Sequence, residues 1–317
     1  MNQSDWLAKT GLALVLGICL TGGLAAQNVP PAPQGALAHL LVTVEARHGS
    51  NVPEVGRDDV MVYEGHDRDR VADWVPAQGD NAGLDLFILL DDGSNTSLGT
   101  QLEDLRQFMN AQPASTKIGV AYMQNGIARV GQSPTSDHAL AAKALRLPMG
   151  IGGINASPYI SLSDLIKRWP EGSPRREVLM VSDGIDPLYG TGDLQDPYLD
   201  AAIDDAQRAG VVVFGIYTPG IGHFGHSYWR TYWGQIYLSK LTDQSGGEGY
   251  DIGFTGPAVS FHPYLTDVET RLAHQYFLTF IPKPRKKSGW ERVKVTTEVS
   301  NGELVSADKV YVPAGTP

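Results

Sequence analysis

Leu86–Gly93 reads LFILLDDG and Glu177–Gly184 reads EVLMVSDG. In each, an unbroken apolar run ends in carboxylate and glycine. A short apolar run without polar alternation fits a strand covered on both faces, as in a parallel sheet flanked by helices. Val211–Tyr217 (VVVFGIY) is a third such run. Helical patterns stand between them. Leu98, Leu102, Leu105 and Phe108 repeat at helical spacing. Asp137–Leu145, Ile160–Trp169, Pro197–Ala209 (ending at Gly210), Gln235–Gln244 and Ser260–Leu272 read as further helices. Lys117–Met123 and Ile127–Val130 flank Asn125-Gly126, a hairpin signal. Gly249–Phe254 reads as an edge strand. Strands alternating with helices predict an α/β fold with a doubly wound, mostly parallel sheet.

Working outward, the flanks change character. His39–Ala46, Asp59–Tyr63 and Arg70–Val75 read as strands in an N-terminal β-segment, residues 38–80. Tyr276–Ile281, Arg292–Val299 and Leu304–Val312 do the same in a C-terminal β-segment, residues 276–317, with a turn at Asn301-Gly302. The two flanks are expected to pair as a small β-module. Before them, residues 27–37 (QNVPPAPQGAL) are a Pro-rich linker. Residues 1–26 read as an export signal. Lys9 precedes the apolar run Gly11–Leu24, and Ala25-Ala26 offer a small-residue cleavage site. A secreted or periplasmic protein is expected; an uncleaved N-terminal membrane anchor is the alternative. Cys19 follows Ile18, too bulky for a lipid-attachment site.

Composition narrows the function. The 317 residues are 42% hydrophobic and 19% charged, an ordinary globular balance. A formal net charge of -10 argues against a nucleic-acid groove, which needs clustered Lys and Arg. The basic cluster Lys283–Lys287 reads as a solvated turn. The single cysteine lies in the signal, so disulfides, a thiolate nucleophile and a Cys-based zinc site are not expected.

In an open parallel sheet, ligands bind beyond the carboxyl ends of the strands. After Leu90 the chain reads Asp91-Asp92-Gly93-Ser94-Asn95-Thr96-Ser97. After Val181 it reads Ser182-Asp183-Gly184. Two strands thus end in carboxylates, one with hydroxyls beside it. Such hard oxygen donors favour Mg²⁺, Mn²⁺ or Ca²⁺ over zinc. The plainer alternative is that Ser94, Thr96 and Ser97 only cap the next helix, with Asp92 in the turn.

These motifs resemble the von Willebrand factor A domains, over about residues 84–275. Their metal-ion-dependent adhesion site is Asp-x-Ser-x-Ser/Thr after the first strand, a Thr from a second loop, and an Asp in a hydrophobic-Ser/Thr-Asp-Gly setting. Asp92-Gly93-Ser94-Asn95-Thr96 matches the first part and Val181-Ser182-Asp183-Gly184 the last. The flanking VTVEARHGSNVP, DDVMVYEG and YFLTFIP look like a bacterial, notably acidobacterial, secreted subgroup. The resemblance implies a metal set of Asp92, Ser94, Thr96 and Asp183. Ser157 stands in for the missing Thr, with Asp91 and Asn155 as secondary candidates. Starting the motif at Asp91 instead would put Gly93 and Asn95 where hydroxyls belong. The implied function is an exported adhesion protein, not an enzyme, binding a protein ligand through an acidic side chain on the cation.

Pro219–Trp233 is expected on the same edge. Its His223, Phe224, His226, Tyr228 and Trp229 read either as a ligand-recognition loop or as a seal for the sheet edge. Two alternatives to adhesion stand: an interaction module with a degenerate metal site, and a metal-dependent hydrolase using Asp91, Asp92 and Asp183. The sequence has no G-x-S-x-G elbow and no phosphate-binding P-loop.

Overall fold

A computed structural model describes residues 37–169, 175–189, 195–220, 228–250 and 260–314, with the side chain of Tyr228 left aside. The signal, nearly all of the linker, and His223, Phe224 and His226 lie outside the described residues. All that follows falls within the unit Gly35–Pro317.

The described residues build two sheets. The first strands are β1 (Ala38–Ala46), β2 (Val60–Glu64) and β3 (Asp67–Pro76). Then come β4 (Leu84–Asp91), α1 (Leu102–Ala111), β5 (Thr116–Gln124), β6 (Ile127–Thr135), α2 (His138–Lys143) and α3 (Pro158–Lys167). They are followed by β7 (Arg176–Ser182), α4 (Pro197–Ala209), β8 (Val211–Tyr217), α5 (Tyr228–Ser245), β9 (Gly249–Tyr250) and α6 (His262–Ala273). The last strands are β10 (Gln275–Ile281), β11 (Gly289–Thr297), β12 (Gly302–Ser306) and β13 (Lys309–Val312).

The second sheet has the order β6-β5-β4-β7-β8-β9 and is parallel except for β6. It is doubly wound, as the alternation predicts. Leu84, Leu86, Ile88 and Leu90 of β4 face a core completed by α1, α2 and α6. Phe87 and Leu89 face the other core, with α3, α4 and α5. This two-sided burial explains the lack of alternation in LFILL. β4 is the switch point, with chain order running outward from it in both directions, so its carboxyl end opens the crevice where such sheets bind ligands. The hairpin turn is present, with Asn125 and Gly126 both at positive φ (51° and 76°).

The flanks do pair, in an antiparallel sheet of seven strands, order β12-β1-β10-β3-β2-β11-β13. The two chain ends interleave: β10 lies between β1 and β3, and Trp74 stacks on Tyr276 with ring centroids 4.5 Å apart. The single run Leu304–Val312 breaks into β12 and β13, which sit at opposite edges. Only Ala307 and Asp308 separate them, so the sheet must curl. Asp308 Oδ1 accepts from Gln207 Nε2 of α4 at 2.6 Å, which fixes the corner.

The largest boundary shift is at α5. The expected loop Pro219–Trp233 ends early, because α5 starts at Tyr228 rather than Gln235. Trp229, Tyr232, Trp233 and Tyr237 recur at helical spacing, and Trp233 and Ile236 pack against the β7–β8 core. Among the described residues no helix is long and apolar enough to cross a membrane.

Candidate functional site

The carboxyl ends of β4 and β7 bring Asp91 and Asp183 to one cavity of about 350 Å³. Gly93, Gly150, Gly152, Gly153, Ile154, Ala156, Ile185 and Pro187 complete its lining, with no basic side chain among them. Asp91 Oδ1 accepts from the Gly93 amide at 2.7 Å, and its Oδ2 accepts from Ser182 Oγ at 2.8 Å. Ser182 Oγ also accepts from the Gly184 amide at 3.1 Å, so this hydroxyl ties the two strand ends together. Asp183 Oδ1 accepts from the Ile185 amide at 2.9 Å. Its other oxygen has no hydrogen bond among the described residues.

Both carboxyls are held above the usual carboxylate range. For Asp91 burial is the main cause; the Gly93 amide and Ser182 hydroxyl oppose it, and the charge of Asp92 adds to it. For Asp183 burial leads again, followed by the charge of Asp91. Positive charge entering the cavity would relieve both.

Asp92 does not share this cavity. It is fully buried and turned to the other side of the strand end. Arg146 Nη1 and Nη2 donate to its Oδ1 and Oδ2 at 2.6 and 2.7 Å. Gln124 Nε2 donates at 2.6 Å and the Met149 amide at 3.2 Å. The guanidinium also lies 3.7 Å over the Tyr122 ring. A carboxylate so fully engaged is closed to a cation. The geometry therefore favours the register that starts at Asp91, against the expectation that Asp92 leads the motif.

The hydroxyls are dispersed as well. Ser94 Oγ is buried with no hydrogen-bond partner among the described residues, and Ser94 bridges Gly220 rather than lining the cavity. Thr96 is exposed at the start of a 3-10 turn capped by Asn95, whose side chain accepts from the Ser97 amide. Ser157 caps α3 and donates to buried Asp186 at 2.5 Å. Asn155 is exposed, and its amide donates to Asn125 Oδ1. Gly93 and Asn95 thus stand where the Asp91 register would want hydroxyls. A Cβ at Gly93 would lie 3.1 Å from Asp91 Oδ1 and in ordinary contact, 3.6 Å, with Gly152 Cα of the second loop.

Among the described residues no three His, Cys, Asp or Glu side chains gather to hold a metal. The donor set facing the cavity is two carboxylates. That fits a divalent cation only as a hydrated, weakly held ion, with most of its roughly six positions filled by water. Of the expected recognition loop, Trp229 is on α5 and largely exposed, and Tyr228 opens that helix.

Sequence reasoning missed Arg146 and the loop it carries. In residues 147–154 (LPMGIGGI), Gly150, Gly152, Gly153 and Ile154 line the cavity, and Leu147, Met149, Ile151 and Ile154 are 52, 56, 72 and 91% exposed. The signal was present as four large apolar residues in a Gly- and Pro-rich stretch with no periodicity.

No family model matches the chain, and no curated protein matches it in sequence. Solved structures similar to it include a von Willebrand factor type A protein from Catenulispora acidiphila, with 10% identity, TM-score 0.43, 90% of this chain and 74% of that one covered. The three N-terminal domains of the type V pili tip protein Mfa5 from Porphyromonas gingivalis align with 9% identity and TM-score 0.39, covering 90% and 67%. The ArnB paralog VWA2 from Sulfolobus acidocaldarius aligns with 9% identity and TM-score 0.36, covering 89% and 76%.

Proposed function

We propose that this chain is an exported, von Willebrand factor A-like protein-interaction module that docks its partner at the carboxyl edge of the parallel sheet. One observation carries the reading: two buried carboxylates, Asp91 and Asp183, open into a cavity without basic lining. A divalent cation would be held there by these two residues, with Ser182 steadying Asp91. It would supply a positive centre to which a partner's carboxylate can bind. The depleted hydroxyls favour a weak site over a strong switch. Export rests on the apolar run Gly11–Leu24 and the small residues after it.

Calorimetric titration with Mg²⁺ and Mn²⁺ tests the cation. Millimolar binding abolished by Asp91→Asn and by Asp183→Asn is expected. Binding that survives both substitutions would remove the cation from this cavity. An interaction module with no cation at all is the second reading, favoured by the engagement of Asp92 with Arg146 and of Ser157 with Asp186.

A further inference from the structure

The rim and the cavity differ in chemistry, and the pair is informative. The rim loop is well anchored. Arg146 holds it to Asp92, the Ile151 amide donates to the Asp92 carbonyl at 3.1 Å, and the Asn125 amide donates to the Gly152 carbonyl at 2.7 Å. Its apolar side chains are nonetheless left in water. Large apolar side chains exposed on a loop this well anchored fit an interaction surface better than a core defect. Beside Ile154 lies the acidic cavity, lined by Asp91 and Asp183, and among the described residues the second Asp183 oxygen has no hydrogen bond.

We propose that the partner is a protein segment carrying a lysine or arginine flanked by apolar side chains. The basic group enters the cavity and pairs with Asp91 and Asp183, while its neighbours pack on Met149, Ile151 and Ile154. This rests on the docking face proposed above but on its cation-free state: there the basic group stands in place of the cation and of the carboxylate it would hold. Charge complementarity selects this occupant. The cavity lining offers two carboxylates and no basic side chain, its donor set holds a metal poorly, and a tethered basic side chain brings the opposite charge with the partner. The same chemistry disfavours an anionic membrane surface, since the chain carries a formal net charge of -10.

A displayed library of random peptides, selected on the full chain in EDTA, tests this. Selected peptides are expected to share a Lys or Arg with apolar residues within two positions. Their affinity should fall at least tenfold in Asp91→Asn/Asp183→Asn and in Ile151→Ser/Ile154→Ser. The second variant lies on exposed positions and should keep the wild-type melting temperature, so its loss of binding is not a loss of fold. Millimolar Mg²⁺ should compete. Acidic peptides that bind only with Mg²⁺, and still need Asp91 and Asp183, would overturn this inference while leaving the docking face intact. Peptides insensitive to both variants, or no selected peptide at all, would overturn the inference, and insensitivity would also overturn the face. Binding to neutral phosphatidylcholine vesicles that depends on Ile151 and Ile154 but not on the aspartates would replace the protein partner with lipid.

Discussion

Arg146 and Asp92 meet fork to fork, two nitrogens on two oxygens at 2.6 and 2.7 Å, and the Asp92 end is fully buried. The pair pins the rim loop to the end of β4. Arg146→Met would strip a buried carboxylate of its counter-charge. Breaking a buried pair costs about 3–5 kcal/mol, and the low end applies here because the Arg146 side chain is 39% exposed. Urea unfolding should register that loss, and limited proteolysis should cut within residues 147–154 sooner than in the wild type. An unchanged midpoint and cutting pattern would show that the loop is held by other contacts.

The same geometry separates the two registers. Asp92→Asn should lower stability yet leave millimolar Mn²⁺ binding in place, because Asp92 does not face the cavity. Asp91→Asn should do the reverse: it removes a buried charge that sits uneasily beside Asp183, so it costs little stability but abolishes binding. Calorimetry and thermal melts on the two variants decide it. Ion binding lost with Asp92 and retained without Asp91 would restore the other register.

Ser157 illustrates a residue whose type fits two roles. As the N-cap of α3 it accepts from the Ile160 amide at 3.4 Å, and it donates to Asp186 at 2.5 Å. Ser157→Ala should cost about 0.5–2 kcal/mol, the usual price of a lost cap. Mn²⁺ affinity should not change. A tenfold weaker Mn²⁺ isotherm in a variant of near-normal stability would return Ser157 to the ligand set.

Much of this was legible in the sequence because it depends on local pattern. Unbroken apolar runs mark doubly covered strands, and carboxylates placed just after them must fall on the ligand-binding edge. The choice between Asp91 and Asp92 was not legible. Adjacent strand residues face opposite sides, and a run apolar on both faces carries no phase to tell which residue points where. The deciding partner, Arg146, lies 54 positions away in a segment without periodicity. Ser157 was read by residue type, but its hydroxyl is used by the helix it starts. In Pro219–Trp233 the Gly and His residues obscured the helical spacing of Trp229, Tyr232 and Trp233.

Buried carboxyls set the pH response. Glu177 is fully buried, which pushes it up to about 7 against the opposing pull of Arg175 and Gln275. Glu45 is likewise raised to about 7, chiefly by burial, with Arg271 opposing. Between the ordinary value of 4.5 and about 7, the folded state holds protons that the unfolded state has released. Stability from these groups is therefore present in mild acid and declines as pH rises through that window. Glu177→Gln cannot titrate, so the wild-type stability minus that of the variant should shrink steadily from pH 5 to pH 8. A flat difference would mean that Glu177 keeps an ordinary value despite its burial.

Restoring the lost hydroxyls is the sharpest test of why the cation site is weak. In the Asp91 register the depleted positions are Gly93 and Asn95. The backbone of Gly93 is not at positive φ, so serine meets no conformational penalty there. A Cβ would stand 3.1 Å from Asp91 Oδ1, so that carboxylate must yield by a few tenths of an ångström. Asn95 caps the following turn through the Ser97 amide, a role serine also performs. Gly93→Ser/Asn95→Ser would thus add two neutral oxygens beside Asp91 without dismantling the turn. Each replaces a water in the shell of the ion and leaves its charge unspent for a partner's carboxylate. The double variant should bind Mn²⁺ at least about tenfold more tightly, roughly 1.4 kcal/mol. By the same logic it should bind a basic, apolar-flanked peptide less well in Mg²⁺, because a filled cation site excludes the basic group. Tighter ion binding with no loss of peptide binding would separate the two ligands in space, and an unchanged Mn²⁺ isotherm would mean that the hydroxyls were never what the site lacks.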